Sequence, residues 1–340
     1  MNMLSRSCSA ALLVSLGWLS ASADVLAQDF YQGKTISIVV GAGAGGFDMH
    51  ARVMAKHIGR FIPGKPTVIV QNMPGAGGIQ AANYLYNVAA KDGTVIGNVT
   101  QNLQVEEAVG TPGVAYKSAD FQWIGRTTNS TVVTVIDAKS KVKVLDDAAN
   151  NEVILGTTGV VSSVYLYPKL TKDVIGSKFK LVTGYKDTAS MLFAMERGEV
   201  EGATLSWDSL KGLRPDWLTN KTISIPVQFA LTRNRELADV PTIVEMAKSP
   251  QDKAVLQLFM ASSEIGRAFF VPPRVPEAQV KTLRAAFDAM VKDPDYRADV
   301  AQAKLDFEPM SGQALQALVR EQSAYPPEII ARAKALRGGN

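Results

Sequence analysis

The sequence predicts an α/β protein of two domains facing each other across a cleft, and three features predict it. Strand, glycine-rich loop and helix patterns succeed one another as β-loop-α-β-loop-α-β between residues 35 and 99. After residue 137 the alternation begins again, with no repeat of the residues themselves. The chain beyond its leader, about 310 residues, is also longer than one hydrophobic core usually serves. Such a pattern calls for mostly parallel sheets with right-handed crossovers and helices on their faces. Ligands of these sheets sit at the carboxyl ends of the strands, here in the cleft between the domains.

Residues 1–27 read as a secretory signal peptide. Arg6 supplies the positive n-region, residues 10–19 an apolar stretch too short to span a bilayer, and small residues allow cleavage near Ala23 or Ala27. An uncleaved anchor is the alternative, but no stop-transfer pattern follows. The mature chain is expected in the periplasm. Cys8 is the only cysteine and lies in this leader, too early for a lipid-anchored cleavage site, so the mature chain is expected to hold neither a disulfide nor a thiol nucleophile. The leader carries one base, Arg6, and one acid, Asp24, so the mature charge stays at +4. A mildly basic balance suits acidic ligands. No dense Lys/Arg cluster with interleaved aromatics occurs, and nucleic acid is not an expected partner.

The β-branched run of residues 35–40 leads into Gly41-Ala42-Gly43-Ala44-Gly45-Gly46, and apolar Ala51, Met54, Ile58 and Phe61 follow at helical spacing. Glycines let this backbone approach a ligand, and the first N–H groups of the helix have no internal partner. A carboxylate or a phosphate would suit the loop. A second strand at 67–70 ends in a Pro/Gly-rich loop, a helix covers 79–88, and a short strand at 94–99 leads to Thr100 and Asn102. Three loops therefore converge, 41–48, 72–78 and 100–102. Residues 121–136 read as strands leaving the first domain. The second unit has strands at 153–156, 179–183 and 202–205, helices at 161–170 and 190–197, and a small-residue loop at 157–163. Residues 225–232 read as a strand returning to the first domain. Thr242 and Glu245 form a capping box, and amphipathic helices near 280–291 and 313–323 are expected to cover the first sheet.

Several motifs admit a second reading. The glycine loop satisfies G-x-G-x-x-G, yet a dinucleotide site also needs an acid at the end of the second strand, where Gln71 and Asn72 stand. The run from Gly59 to Lys65 resembles a phosphate loop until Pro66 takes the Ser/Thr position, so Pro63-Gly64 reads as a helix stop. His50 and His57 are the only histidines and lie about 10 Å apart along one helix, too far to share a metal ion. No nucleophile elbow occurs, and neither an enzyme nor a cofactor is expected. Asp48 is a ligand-binding acid or the helix N-cap. Phe47 points to the core or to the cleft. Trp207 and Asp208 lie past a second-domain strand where cleft residues belong, although a structural Trp is equally natural there. Ser162 and Ser163 cap a helix or bind ligand.

Taken together, GGFDMHAR, VIVQNMPGAGG, AAN and KDGT resemble the Bug-type extracytoplasmic solute receptors of tripartite tricarboxylate transporters. Ala119-Asp120-Phe121, the 156–163 loop, Gly198-Glu199-Val200-Glu201 and Val240-Pro241-Thr242 with Glu245 extend the match. The resemblance implies a two-lobed periplasmic-binding-protein fold, type II-like, that closes on a small organic carboxylate and hands it to an inner-membrane permease. It implies residues 28–128 with 229–340 as lobe 1, residues 129–228 as lobe 2, and a monomer. Ligand contacts are implied for Gly43, Ala44, Gly45, Gly46, Phe47 and Asp48 of the first loop and Gly75, Ala76, Gly77 and Gly78 of the second. Thr100 and Asn102 join them. The opposite lobe offers Thr157, Thr158, Gly159, Ser162 and Ser163, then Tyr185, Trp207 and Asp208. The sequence departs from the family at the cleft. Gly43 replaces a common Pro, Phe47 a Thr, Gly184-Tyr185-Lys186-Asp187 a Pro-Tyr-Lys-Gly, and Tyr165 a His. With Phe47, Tyr165, Tyr185 and Trp207 nearby, an aromatic carboxylate is the expected ligand. A Rossmann-type NAD-dependent oxidoreductase, an ABC-type receptor and a ligand-carrying partner of a sensor protein are the alternatives.

Overall fold

A computed structural model describes residues 30–160, 162–322 and 325–338. The expected signal peptide, residues 1–27, lies outside the described residues. The first sheet is built from β1 (Thr35–Val40), β2 (Thr67–Asn72), β3 (Val95–Asn98), β4 (Gln122–Arg126), β10 (Ala268–Val271) and β11 (Met310–Ser311), in the order β11-β4-β10-β3-β1-β2. β1 runs parallel to β2 and β3, whereas β10 enters antiparallel between β3 and β4. Helices α1 (Gly46–Ile58), α2 (Ile79–Asn87) and α3 (Leu103–Ala108) make the crossovers. Ile36, Ile38 and Val40 of β1 bury one side against Ala51, Met54 and Ile58 of α1, the helical face read from the sequence. Gly97 lets β3 pack closely: a Cβ there would lie 2.6 Å from Leu85 and 2.8 Å from the Phe270 ring.

The second sheet holds β5 (Val132–Asp137), β6 (Val153–Gly156), β7 (Phe179–Val182), β8 (Gly202–Ser206) and β9 (Ile223–Phe229), in the order β7-β6-β8-β5-β9. Here α4 (Ser163–Leu170), α5 (Thr188–Glu196), α6 (Trp207–Leu213) and α7 (Pro215–Thr219) connect the strands. The expectation that residues 225–232 return to the first domain is corrected. β9 pairs antiparallel with β5, Val132 opposite Phe229, because Val227 and Phe229 belong to the second lobe's core.

The chain also stays with the second lobe through α8 (Pro250–Ala261), whose Val255, Leu256 and Phe259 pack among Leu166, Tyr167 and Phe229. It crosses back only at residues 262–267. These residues pair with the outgoing segment 127–131: Thr127 N donates to Arg267 O (3.0 Å), Arg267 N to Thr128 O (2.9 Å) and Ser130 N to Ser263 O (2.9 Å). These two crossing segments, the second opening with a 3-10 turn at Ser262–Glu264, are hydrogen-bonded to each other between the lobes. Of the tail helices, α9 (Glu277–Met290) and α11 (Gly312–Glu321) cover the first sheet, while α10 (Pro294–Gln302) packs beside α1. The last, α12 (Pro327–Arg337), reaches the second lobe, where Ala333 lies in the core with α8.

The capping box at Thr242 and Glu245 forms both of its bonds, yet a turn follows rather than a helix. Among the described residues no helix is long and apolar enough to cross a membrane.

Candidate functional site

The carboxyl edges of the two sheets face each other around a cavity of about 410 Å³. It is walled on one side by residues 41–47, 74–77 and Thr100, and on the other by Thr158, Gly159, residues 162–164 and residues 184–188. Four helices begin at this cavity. α1 presents Gly45 and Gly46, α2 Ala76 and Gly77 of the 3-10 turn before it, α4 Ser162 and Ser163, and α5 Asp187 and Thr188. The turn before α2 is unusual: Ala76, Gly77 and Gly78 have φ of +45°, +60° and +99°. Successive residues of this kind turn their N–H groups toward one side, and a non-glycine residue held there is strained.

The lobes touch across this cavity through small residues. A Cβ on Gly43 would lie 3.0 Å from Asp187 Cβ, and one on Gly45 3.1 Å from Thr188 Oγ1. Asp187 caps α5, accepting from Ser190 N at 2.9 Å, while Asp187 N donates to Ser190 Oγ at 3.1 Å. Ser162 Oγ donates to Gly159 O and lies 2.7 Å from Thr158 Oγ1, which orders the lobe 2 loop.

Of the residues predicted from sequence, Gly43, Ala44, Gly45, Gly46, Phe47, Gly75, Ala76, Gly77, Thr100, Thr158, Gly159, Ser162, Ser163 and Tyr185 line the cavity. The remainder do not. Asp48 is neither cap nor lining: Gly45 is the N-cap, and the Asp48 carboxylate accepts from Arg52 Nε (2.8 Å) and Asn72 Nδ2 (2.9 Å). Asn72 Nδ2 also donates to Ala42 O, so Asp48 supports the loop from behind. Gly78 is turned beneath its loop against Thr100, and the Thr157 hydroxyl donates to Val182 O. Asn102 is buried, its Oδ1 accepting from Ser262 Oγ at 2.8 Å. The Trp207 indole packs in the lobe 2 core and donates to Glu236.

Asp208 is the most consequential of these corrections. It is 3% exposed, and its carboxylate accepts from Arg267 Nε (3.2 Å) and Nη2 (3.1 Å) and lies 3.1 Å from His50 Nε2. His50 Nδ1 is in turn 2.9 Å from Thr127 Oγ1, at the crossing between lobes. Burial alone would raise the Asp208 carboxyl, but the Arg267 guanidinium and the His50 ring outweigh it and hold it well below the usual carboxylate range. Arg267, 2% exposed, lines the cavity with its guanidinium 4.3 Å from the Phe47 ring centroid. Phe47 therefore serves both the core and the cleft.

Sequence reasoning missed Arg267, Thr188, Ser206 and Ser209, and named Asp187 only as a departure from the family at the cleft. Asp187 and Ser190 carry a legible capping signal. Arg267 carries none, because its partners are 59 and 166 positions away. Among the described residues no group of His, Cys, Asp and Glu could hold a metal ion.

Compared with known proteins, residues 50–334 match the tripartite tricarboxylate transporter family receptor. The UPF0065 protein in gbd 5'region of Cupriavidus necator is 24% identical over 317 residues, covering 90% of this chain and 88% of that one. Two solved structures share the fold. The periplasmic binding protein BugD gives a TM-score of 0.71 at 20% identity, over 90% of this chain and 98% of its own. MatC from Rhodopseudomonas palustris, solved with bound malate, gives 0.68 at 21% identity, over 89% and 99%.

Proposed function

Because the chain belongs to the receptor family of tripartite tricarboxylate transporters, we propose that it captures a small organic carboxylate in the periplasm by hinge closure and delivers it to inner-membrane permease subunits. It acts as a binding protein, without catalysis. The observation that carries this reading is the convergence of four helix N-termini on one cavity between the lobes. Helix starts bring first-turn N–H groups without an intrahelical acceptor and the positive end of a dipole, although Ser209 already takes the Gly46 N–H and Asp187 that of Ser190. An anion is the ligand whose burial such a site compensates. Each donor left unpaired beside it would cost about 1–3 kcal/mol, so a carboxylate must engage several at once. MatC, of the same fold, was solved with a carboxylate bound.

The ligand body is apolar in this proposal. Phe47, Val132, Val164 and the Tyr185 ring line the space beyond the helix ends. Tyr165 and Trp207 stand outside it, so the aromatic assignment rests on Phe47 and Tyr185. Closure about the paired crossing segments 127–131 and 262–267 brings the second lobe onto a ligand held by the first.

Thermal unfolding of residues 28–340 against aliphatic and aromatic mono- and dicarboxylates, amino acids and NADH tests the proposal. A bound acid at 100 times its Kd adds about 2.7 kcal/mol, which raises Tm measurably. Stabilisation by NADH alone would overturn the receptor reading. Stabilisation by aliphatic acids alone would remove the aromatic assignment and leave the receptor.

A further inference from the structure

One short helix of the second lobe, α6, meets the first lobe at several successive residues. Asp208 takes the Arg267 guanidinium through both carboxylate oxygens and lies against His50. Ser209 Oγ accepts from Gly46 N at 2.7 Å, the first residue of α1. Lys211 pairs with Asp306, and Gly212 packs so closely on Met49 that a Cβ there would lie 2.4 Å from Met49 Cε. At Gly46 the approach is equally tight: a Cβ would lie 2.7 Å from Arg267 Nη2, 2.8 Å from Asp208 Oδ1 and 2.9 Å from Ser206 Oγ.

We propose that Asp208 is the positioning residue of lobe closure, the counter-charge that allows the second lobe to seat over Arg267 and His50. Arg267 of the first lobe lines the cleft and His50 of the same lobe lies against Asp208, so parting the lobes exposes both to water. Closing removes that water, and a guanidinium buried without a partner is strongly unfavourable. Asp208 arrives with the closing lobe and supplies the partner in the same movement. Ser209 beside it meets the Gly46 N–H that closure also buries. The His50 to Thr127 contact ties the cluster to the crossing segment about which the lobes turn. This inference goes beyond the choice of ligand and holds for whatever acid the cavity takes.

The decisive consequence is non-additivity. Removing Asp208's charge alone leaves Arg267 buried unpaired in the closed form and solvated in the open one, so closure is disfavoured roughly hundredfold. Removing both charges takes away the penalty with its remedy, and closure returns.

The mature chain has no cysteine, so Gln71→Cys on β2 and Val182→Cys on β7 can be spin-labelled on otherwise unchanged protein. Both lie at the carboxyl ends of edge strands, on opposite lobes. Inter-lobe distances are then measured by pulsed electron resonance on protein refolded free of ligand. Asp208→Asn should lengthen and broaden the distribution relative to the parent, and Asp208→Asn with Arg267→Met should restore it. Ser209→Ala, which removes only a hydroxyl, should shift it in the same direction by less, and carries the test if Asp208→Asn fails to fold. A double variant as open as the single one, or a distribution indifferent to Asp208→Asn and Ser209→Ala, would overturn the inference. Since no ligand enters, the result is independent of the carboxylate reading.

Discussion

The crossing between the lobes offers a prediction whose size follows from the coordinates. Gly266 has φ of +57°, and a Cβ added there would lie 2.1 Å from Thr128 O and 2.6 Å from Asn129 Cα. Both are backbone atoms of the opposing crossing segment, so no side chain can yield. Gly266→Ala thus carries two penalties. The left-handed conformation costs about 1–2 kcal/mol for a residue with a Cβ, and forcing apart packed backbone adds roughly 1–3 kcal/mol. A stiffer unfolded chain returns about 0.4–1 kcal/mol. The net loss is about 1–5 kcal/mol. Gly110→Ala is the matched control, since Gly110 has φ of +66° and nothing within 4 Å of its would-be Cβ. It bears only the conformational part, about 1 kcal/mol or less. Thermal or urea unfolding of both variants against the parent measures the difference. If Gly266→Ala loses no more than Gly110→Ala, the crossing segments are not packed as described.

Further expectations concern charge and the loops. Burial would raise Asp208, but Arg267 and His50 leave it depressed on folding, so its contribution is present above its unfolded value near pH 4 and lost as pH falls through its folded one; in acid unfolding, the stability gap between wild type and Asp208→Asn should be full at pH 7 and close only in strong acid. Asp48→Ala, which frees Asn72 from one of its partners behind the glycine loop, should weaken acid binding about fivefold by calorimetry, the equivalent of about 1 kcal/mol, without altering which acids bind. Asp187→Ala should cost about 1 kcal/mol in unfolding experiments through loss of the α5 cap, whereas Asp187→Asn, which keeps an acceptor for Ser190 N, should cost little.

What was legible in the sequence was local. The alternation of residues 35–99 predicted β1, α1, β2, α2 and β3 because apolar spacing and glycine loops act within a few residues. The loops at 43–47 and 75–77 were legible for the same reason, since a glycine run between a strand and a helix has few other uses. α8, with Ser249 as cap and Pro250 in the first turn, went unread although its start is local too.

Placement was not local, and there the sequence misled. Residues 223–229 are strand-like in either lobe, and only pairing with β5 assigns them to the second. The sequence leaves Asp48 as either a ligand-binding acid or a cap, and it is neither, because Asn72, 24 positions away, and Arg52 claim it. Arg267 had no signal at all. By itself the sequence determined the local elements and the glycine loops that line the cavity, because dihedral preference and hydrophobic period are properties of neighbours. Only the tertiary structure decided which charges meet, setting Asp208 on Arg267 across the closed lobes. Burial turns a distant pair into a strong one, and burial is a property of the whole fold.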